Sequence, residues 1–481
     1  MSVAKYDKSP ENMDSSILTV AVEWTFKYLE PFMGEADVWS HEAAISQIDK
    51  NTSVGYPYNL SKEPPIKTKG DFLKLPENIE LLYDHWSKLQ TPEPLPVVWT
   101  NSVKEEIRLQ EKVRYNKLRT FVGPPITHVY CSQRMFGHMN SQLHANSPKT
   151  WSFVGSSKYY GGWHRLYERL SKHPNAFELD CSEYDSSLNA ELLSQLARIR
   201  FRMLKRDLQT DENWARVVNL YDQIINSYIV CSGGELIQKF TGNPSGSVNT
   251  IDDNTIGQII LMAYAFITIF KGESICTYTE FTANMELALC GDDNTGTISE
   301  KIFNRFNPST ISAAWTSIGI TTKYGNTSAR QSLLDMHFCA NGFKFVDHPA
   351  FGRRVVPVPD PEKLLASMCL YSAKGSNLKW SFLRSQAIRR ECFFTPLFET
   401  LSSYCNFLIK YHFHELHAIP DPKDPTDFSW EVLSTMQATD LEILALYLGE
   451  QVALQGKGLP EEIYRENFKL VTLDKIECYA P

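Results

Sequence analysis

The side chains best suited to chemistry are acidic and lie in two short segments far apart in the chain. FELDCSEYDSSL runs a short apolar strand into Asp180 and sets Asp185 five residues later, at the entrance to a helical run, so that both carboxylates can face one site. MELALCGDDNTGTIS reads as strand, tight turn, strand, with Gly291 opening the turn and Asp292 and Asp293 at its tip. Each segment alone has an ordinary explanation. Asp185 or Ser186 can simply cap the following helix, and Gly, Asp and Asn are common turn residues. Taken as a pair, the segments offer the oxygen donors that hard divalent cations require, Mg²⁺ being held typically by one or two protein carboxylates together with substrate phosphates. Two such ions lower the charge penalty on an attacking 3′-hydroxyl and on a departing pyrophosphate, which is the chemistry of nucleotidyl transfer. Asp180 and Asp292 suit that role.

Between the acids lies FTGNPSGSVNTIDDN, where Gly242 and Gly246 allow a tight backbone that can lie against a nucleic-acid strand before a helix begins near Thr250. Ser245, Thr250 and Asn254 carry short hydrogen-bonding groups suited to ribose hydroxyls, Thr250 and Asn254 sharing one helical face. A plain Gly-Pro loop with polar cap residues is the alternative. Upstream, KEEIRLQEKVRYNKLR, from Lys104 to Arg119, holds six basic residues against three acidic ones. That density suits a triphosphate or a template backbone, and equally a solvated, salt-bridged surface. Lys323, in AWTSIGITTKYGN, stands in a loop after a helix; work as a general acid would need its ammonium beside a leaving oxygen.

Elements that must position these groups are strand-like runs near 97–103, 176–180, 285–290 and 335–346, alternating with helix-like runs near 188–206, 213–229, 250–269 and 303–317. The centre is therefore mixed α/β. DLEILALYL, from Asp440 to Leu448, carries an apolar stripe that Gly449 terminates, and the last part of the chain reads as helical. Proline-bearing segments at 91–96, 357–361 and 420–425 punctuate the chain, and no repeat is present.

With 481 residues, 43% hydrophobic and 22% charged, the chain is an ordered protein of two to four structural units rather than a disordered one. A formal charge of −8 gives no sign of nucleic-acid binding, but net charge averages over surfaces of different sign. The ten cysteines form no C-x-x-C pair and read as reduced thiols. MSVAKYDKSPENMDSS lacks the apolar core of a signal peptide. The run Ile256 to Phe270 is shorter than the ~20 apolar residues of a membrane span, so a buried helix and no intrinsic span are expected. YHFHELH holds His412, His414 and His417 but is not H-E-x-x-H and has no cysteine pair beside it, which leaves a zinc set incomplete.

In their order these segments resemble the polymerases of picornavirus-like positive-strand RNA viruses, a group that includes picornaviruses, caliciviruses and astroviruses. TSVGYPY at 52–58 resembles the family's template motif, which implies template contacts for Thr52, Ser53, Gly55, Tyr56 and Pro57, with Gly242 and Gly246 against RNA. Lys104, Arg108, Lys117 and Arg119 resemble its triphosphate-binding pattern, DCSEYD its first palm motif, GNPSG with Thr250 and Asn254 its second, and GDD at 291–293 its third. The resemblance implies that Asp180 and Asp292 bind metal with Asp293 in support, that Asp185, Ser245, Thr250 and Asn254 recognise ribose, and that Lys323 protonates pyrophosphate. LDMHFCANGFKFV is similar to the hairpin that supports a primer end.

What the resemblance implies for the whole chain is an α+β right hand: fingers over 1–171, palm over 172–199, a fingers insertion over 200–240, palm again over 241–346 and a mostly helical thumb over 347–481. Lys379 to Arg390, with a K-x4-R-x4-RR pattern, suits product RNA or a solvated helix face. Implied partners are template and product RNA, ribonucleoside triphosphates, two Mg²⁺ or Mn²⁺ ions, a viral protein primer and other viral replication proteins. The implied setting is the host cytoplasm, at membrane-associated replication complexes. Two other readings stand beside this one. A reverse transcriptase shares the palm but generally has a bulky aromatic where Asp185 stands; a catalytically silent RNA-binding scaffold shares the fold but has no need of three intact acids.

Overall fold

The computed structural model describes residues 2–7, 12–104, 106, 108, 110–115, 118–323, 329–349, 351–369, 377–424 and 427–449. They form two units, one made of Met1–Lys104, Gln110–Gly155 and His173–Arg330, the other of Glu105–Leu109, Ser156–Lys172 and Gln331–Pro481.

Helices of the larger unit begin where a side chain satisfies their first free amides. Asp14 accepts from Ser16 and Ile17 to start α1 (Ser15–Met33). After α2 (Ile126–Ala145), Asn189 caps α3 (Ala190–Arg202) and Thr210 caps α4 (Asp211–Ile225). No side chain caps α5 (Thr250–Phe270), and a capping box of Asn307 and Thr310 starts α6 (Pro308–Thr316). Three of these elements are shorter than the apolar periodicity suggests, α6 covering only Pro308–Thr316 of the run expected over 303–317. The helical run expected over 188–206 ends at Arg202. That expected over 213–229 stops at Ile225 because Tyr228–Val230 leaves to become a strand.

That strand completes a sheet whose members are distant in sequence. β1 (Val98–Val103), β2 (Thr120–Gly123), then β4 (Tyr228–Val230) and β5 (Leu236–Gln238) lie in the order β2-β1-β4-β5, with β1 and β4 parallel. A second sheet has β3 (Asn175–Glu178), β6 (Met285–Cys290) and β7 (Asp293–Ile298) in the order β3-β7-β6, antiparallel throughout. Its apolar residues Phe177, Leu287 and Leu289 join one large core with α5, whose residues Ile256 to Ile267 are all buried. Helix α5 has the length and composition of a membrane span, yet 89% of its apolar window is buried inside the protein, so packing accounts for its character.

In the other unit, β8 (His337–Phe338) and β9 (Asn341–His348) form the hairpin expected from LDMHFCANGFKFV, turning at Cys339 and Ala340, both at positive φ. β10 (Gly352–Pro359) then pairs with β9 along its whole length. The sequence boundary at 346 therefore cuts through β9, and the segment after it opens with a strand before its helices. Ser156–Lys172, placed with the N-terminal segment on sequence, groups here because Trp163 stacks on Phe343 and the His164 ring accepts from the Val355 amide. Helices α7 (Leu378–Glu391), α8 (Leu397–Tyr411) and α9 (Asp440–Leu448) follow, the last opened by a capping box of Thr439 and Glu442.

The basic run of α7 is internal. Lys379 pairs with Asp427 and donates to the Ala418 carbonyl, while Arg389 holds Ser402, the Ala438 carbonyl and Asp440. Arg390 donates to the Met436 carbonyl at 2.5 Å. Three of the four basic residues are thus cross-links of their own unit, which corrects the reading of a solvated helix face. His417 lies between the rings of Phe413 and Trp430, at 3.7 and 3.9 Å between centroids, and His412 pairs with Glu415.

Candidate active site

The order β3-β7-β6 is what unites the acids. β7 lies between the other two strands, so the exit of β3, which leads to Asp180, comes beside the β6–β7 turn that carries Asp292 and Asp293. Asn294 extends the pairing past the end of β3: its side chain accepts from the Leu179 amide at 2.9 Å and donates to the Leu179 carbonyl at 2.7 Å. The turn is held from below by α5. Thr255 Oγ1 accepts from the Gly291 amide at 2.9 Å, and Gln258 Nε2 donates to the Gly291 carbonyl at 2.7 Å.

All three carboxylates are exposed at the tip. Loss of hydration, then the charges of Asp292, Asp180 and Glu178, push Asp293 up to about 6. Carboxylate oxygens are the donor type a divalent cation takes, although among the described residues no three acidic, histidine or cysteine side chains converge into a ready-made metal site. The loop after α6 runs alongside: Cys181 bridges Thr322, and Lys323 donates its amide to the Asp180 carbonyl at 2.7 Å. The Lys323 ammonium binds both Asp180 carboxylate oxygens, at 2.9 and 3.1 Å.

Asp185 sits on the short helical turn Tyr184–Ser187. Its Oδ1 accepts from Asn254 Nδ2 at 2.6 Å, and Asn254 Oδ1 accepts from Asn243 Nδ2 at 3.0 Å. The Asn243 amide returns to the Asp185 carbonyl at 2.7 Å and the Gly242 amide to the Leu188 carbonyl at 2.8 Å, zipping the GNPSG loop to the Asp185 segment. Burial raises the Asp185 pKa; the Asn254 hydrogen bond and Lys5 oppose it, Asp292 adds to it, and Arg119 opposes it. Gly242, at φ +79°, lies under the Tyr6 ring, where a Cβ would come within 2.8 Å. Ser245 Oγ and Asn243 Oδ1 are buried with no hydrogen-bond partner among the described residues, the state of polar groups that await a ligand or water. Thr250 differs from expectation: its hydroxyl donates to the Pro244 carbonyl at 2.7 Å and so shapes the loop.

The loop meets the chain at the end of β2 and the TSVGYPY segment just after it. The Gly246 amide donates to the Val122 carbonyl, leaving no room for a Cβ, and Gly55 lies against Pro124 and Pro125. Ser53 Oγ accepts from the Gly55 amide, Thr52 Oγ1 accepts from Lys69, and the Tyr56–Pro57 bond is cis. Of the basic residues, Lys104 donates its amide to the Arg119 carbonyl, bringing the ends of that segment together. Arg108 belongs to the other unit and pairs with Glu106, and Lys117 lies outside the described residues.

A family model described as viral RNA-dependent RNA polymerase matches residues 2–405. The chain belongs to that family. Among the polymerase's relatives are the genome polyprotein of Blackberry virus Y, 35% identical over 44% of this chain and 6% of that one, and genome polyprotein 1 of Barley mild mosaic virus, 25% identical over 87% and 18%. The chain thus spans less than a fifth of either polyprotein. The Sicinivirus 3Dpol RNA dependent RNA polymerase shares its right-hand fold, with a TM-score of 0.69 at 19% identity, over 91% of this chain and 87% of that one.

Sequence reasoning missed Asn243, Asn294, Thr255, Gln258 and Lys5 in this polymerase. Polar Thr255 and Gln258, three apart on one face where the helix turns from its polar start to its apolar run, were the legible signal for two of them. Asn294 and Lys5 acquire their roles only through pairing distant in sequence.

Proposed function

We propose that this RNA-directed RNA polymerase extends RNA by two-metal nucleotidyl transfer, with Asp180 and Asp292 as metal ligands, Asp293 in support, and Asp185 with Asn254 and Ser245 selecting ribose. The observation that carries the reading is the placement of Asp180 beside the Asp292–Asp293 turn by the β3-β7-β6 order. When bound, the Mg²⁺ or Mn²⁺ ions supply charge neutralisation at the 3′-hydroxyl and at the pyrophosphate. The chain's own groups do the rest. Asp185, steadied by Asn254, accepts a hydrogen bond from the ribose 2′-hydroxyl, and Arg119 and Lys104 face the triphosphate. Asp180 would be one of the residues holding a metal, and Lys323, whose ammonium lies against that carboxylate, would be the group to donate a proton to the leaving pyrophosphate.

Replication of a positive-strand genome, work beside other viral replication proteins, a viral protein primer and a cytoplasmic, membrane-associated setting follow as parts of the same proposal, supported by relatives that are genome polyproteins. The test is incorporation of labelled ribonucleotide against deoxyribonucleotide on a primed RNA template with Mg²⁺, beside Asp292→Asn. Ribonucleotide-selective extension lost in the variant is expected. Preferential use of deoxynucleotide indicates a reverse transcriptase instead, and no extension by folded, RNA-binding protein overturns the catalytic assignment.

A further inference from the structure

Lys239 follows β5 and is 3% exposed. Its ammonium shares its three N–H groups among four backbone carbonyls within hydrogen-bond distance: those of Ile224 and Ile225, the last two residues of α4, and those of Thr241 at 3.1 Å and Gly242 at 2.7 Å in the GNPSG loop. The last carbonyls of a helix lack intrahelical partners and carry the negative end of its dipole, so a cation is well placed there. The Tyr6 ring, which also packs on Gly242, closes the pocket with its centre 5.4 Å from the nitrogen. Burial pushes the Lys239 pKa down to about 7.

The peptide unit joining Gly242 to Asn243 is planar, so fixing both of its polar ends fixes its orientation. Lys239 holds its C=O, and the Asp185 carbonyl holds its N–H at 2.7 Å. From that peptide the Asn243 side chain reaches Asn254, and Asn254 reaches the Asp185 carboxylate.

We propose that Lys239 is a positioning residue for sugar selection: by tying the loop backbone to the end of α4, it aims Asn243 and Asn254 so that the Asp185 carboxylate is held ready for a ribose 2′-hydroxyl. This rests on the reading of Asp185 and Asn254 as the ribose-selecting pair. Nothing in the role requires Lys239 to touch substrate.

The experiment is single-nucleotide incorporation on a primed RNA template by the full chain, comparing kcat/KM for CTP and 2′-deoxy-CTP in wild type, Lys239→Met and Asn254→Ala. Loss of one ribose hydrogen bond is worth about tenfold. Lys239→Met is therefore expected to lower the ribo-to-deoxy ratio about tenfold, chiefly through a higher KM for CTP, with little change for 2′-deoxy-CTP. An equal loss on both substrates, leaving the ratio at the wild-type value, reflects a merely structural lysine and overturns the proposal. Asn254→Ala separates the two levels. If it collapses the ratio while Lys239→Met does not, the clamp fails and ribose selection stands; if it leaves the ratio intact, the ribose reading itself fails and the proposal with it. Should Lys239→Met not fold, Lys239→Gln, which keeps two donors on a shorter arm, carries the same comparison.

Discussion

Removing one hydroxyl beneath the acidic turn tests whether α5 aims the carboxylates. In Thr255→Val the side chain keeps nearly the same volume but loses the oxygen that accepts from the Gly291 amide at 2.9 Å. The same hydroxyl donates to the Ile251 carbonyl, a helix acceptor already served by the backbone ladder, so the orphaned group of consequence is the Gly291 N–H. Gly291 is buried, and a buried amide without a partner costs about 1–3 kcal/mol. The turn escapes that penalty only by shifting, and a shift at Gly291 moves Asp292, its neighbour in sequence. The expected result is a loss of about 1–3 kcal/mol in urea unfolding, or a rise of about tenfold in half-saturating Mg²⁺, equal to about 1.4 kcal/mol, or a division between the two. Stability within about 0.5 kcal/mol of wild type together with an unchanged Mg²⁺ dependence would refute the argument. Gln258→Leu strips the support of the Gly291 carbonyl, in the next peptide of the same turn, so the double variant should depart from additivity by about 0.5 kcal/mol or more.

Arg200 and Asp253 form a fully buried ion pair at 2.7 Å, joined by Asn140 and Tyr221, that anchors the start of α5; Arg200→Met should destabilise thermal unfolding by about 3–5 kcal/mol, with Arg200→Met/Asp253→Leu recovering part of it. A neutral single variant would show that the pair anchors nothing. Lys323→Met frees the Asp180 oxygens of a competing ammonium, so half-saturating Mg²⁺ should fall, while a proton-donor role adds a drop in kcat; an unaltered Mg²⁺ curve would mean that the pair is absent in solution. His128 is fully buried beside Gln223, and burial lowers its pKa to about 4. The unfolded chain, with a histidine pKa of about 6.5, binds more protons between those values, so stability is complete above about pH 6.5 and declines by about 3 kcal/mol towards pH 4. His128→Gln should flatten that decline, leaving the like-shifted His85, and equal pH profiles for the two proteins would contradict it.

How much was legible depends on how local the cause is. The hairpin of Asp292 and Asp293, the strand before Asp180 and the helix from Thr250 are consequences of short-range pattern and turn chemistry, and all three form where the residues point to them. Helix ends were less legible: Tyr228–Val230 continues the apolar periodicity of α4, but pairing with Val98–Thr100 outcompetes it. Lys379 and Arg389 show the same limit at side-chain level, since a basic pattern reads alike whether it faces RNA or, as here, internal carbonyls and carboxylates.

By itself the sequence determined the chemistry on offer: acidic side chains after one strand and at one hairpin turn, and a Gly-rich polar loop between them. Tertiary structure alone decided their mutual placement. Nothing in the chain between Asp180 and Asp292 states that β7 will lie between β3 and β6, that Lys323 will return to Asp180, or that Lys239 will cap α4 and the loop together. The sheet order and the Lys323 contact join residues more than a hundred positions apart, and the fold that brings them together is stabilised by burying the shared core rather than by any preference visible in a short window.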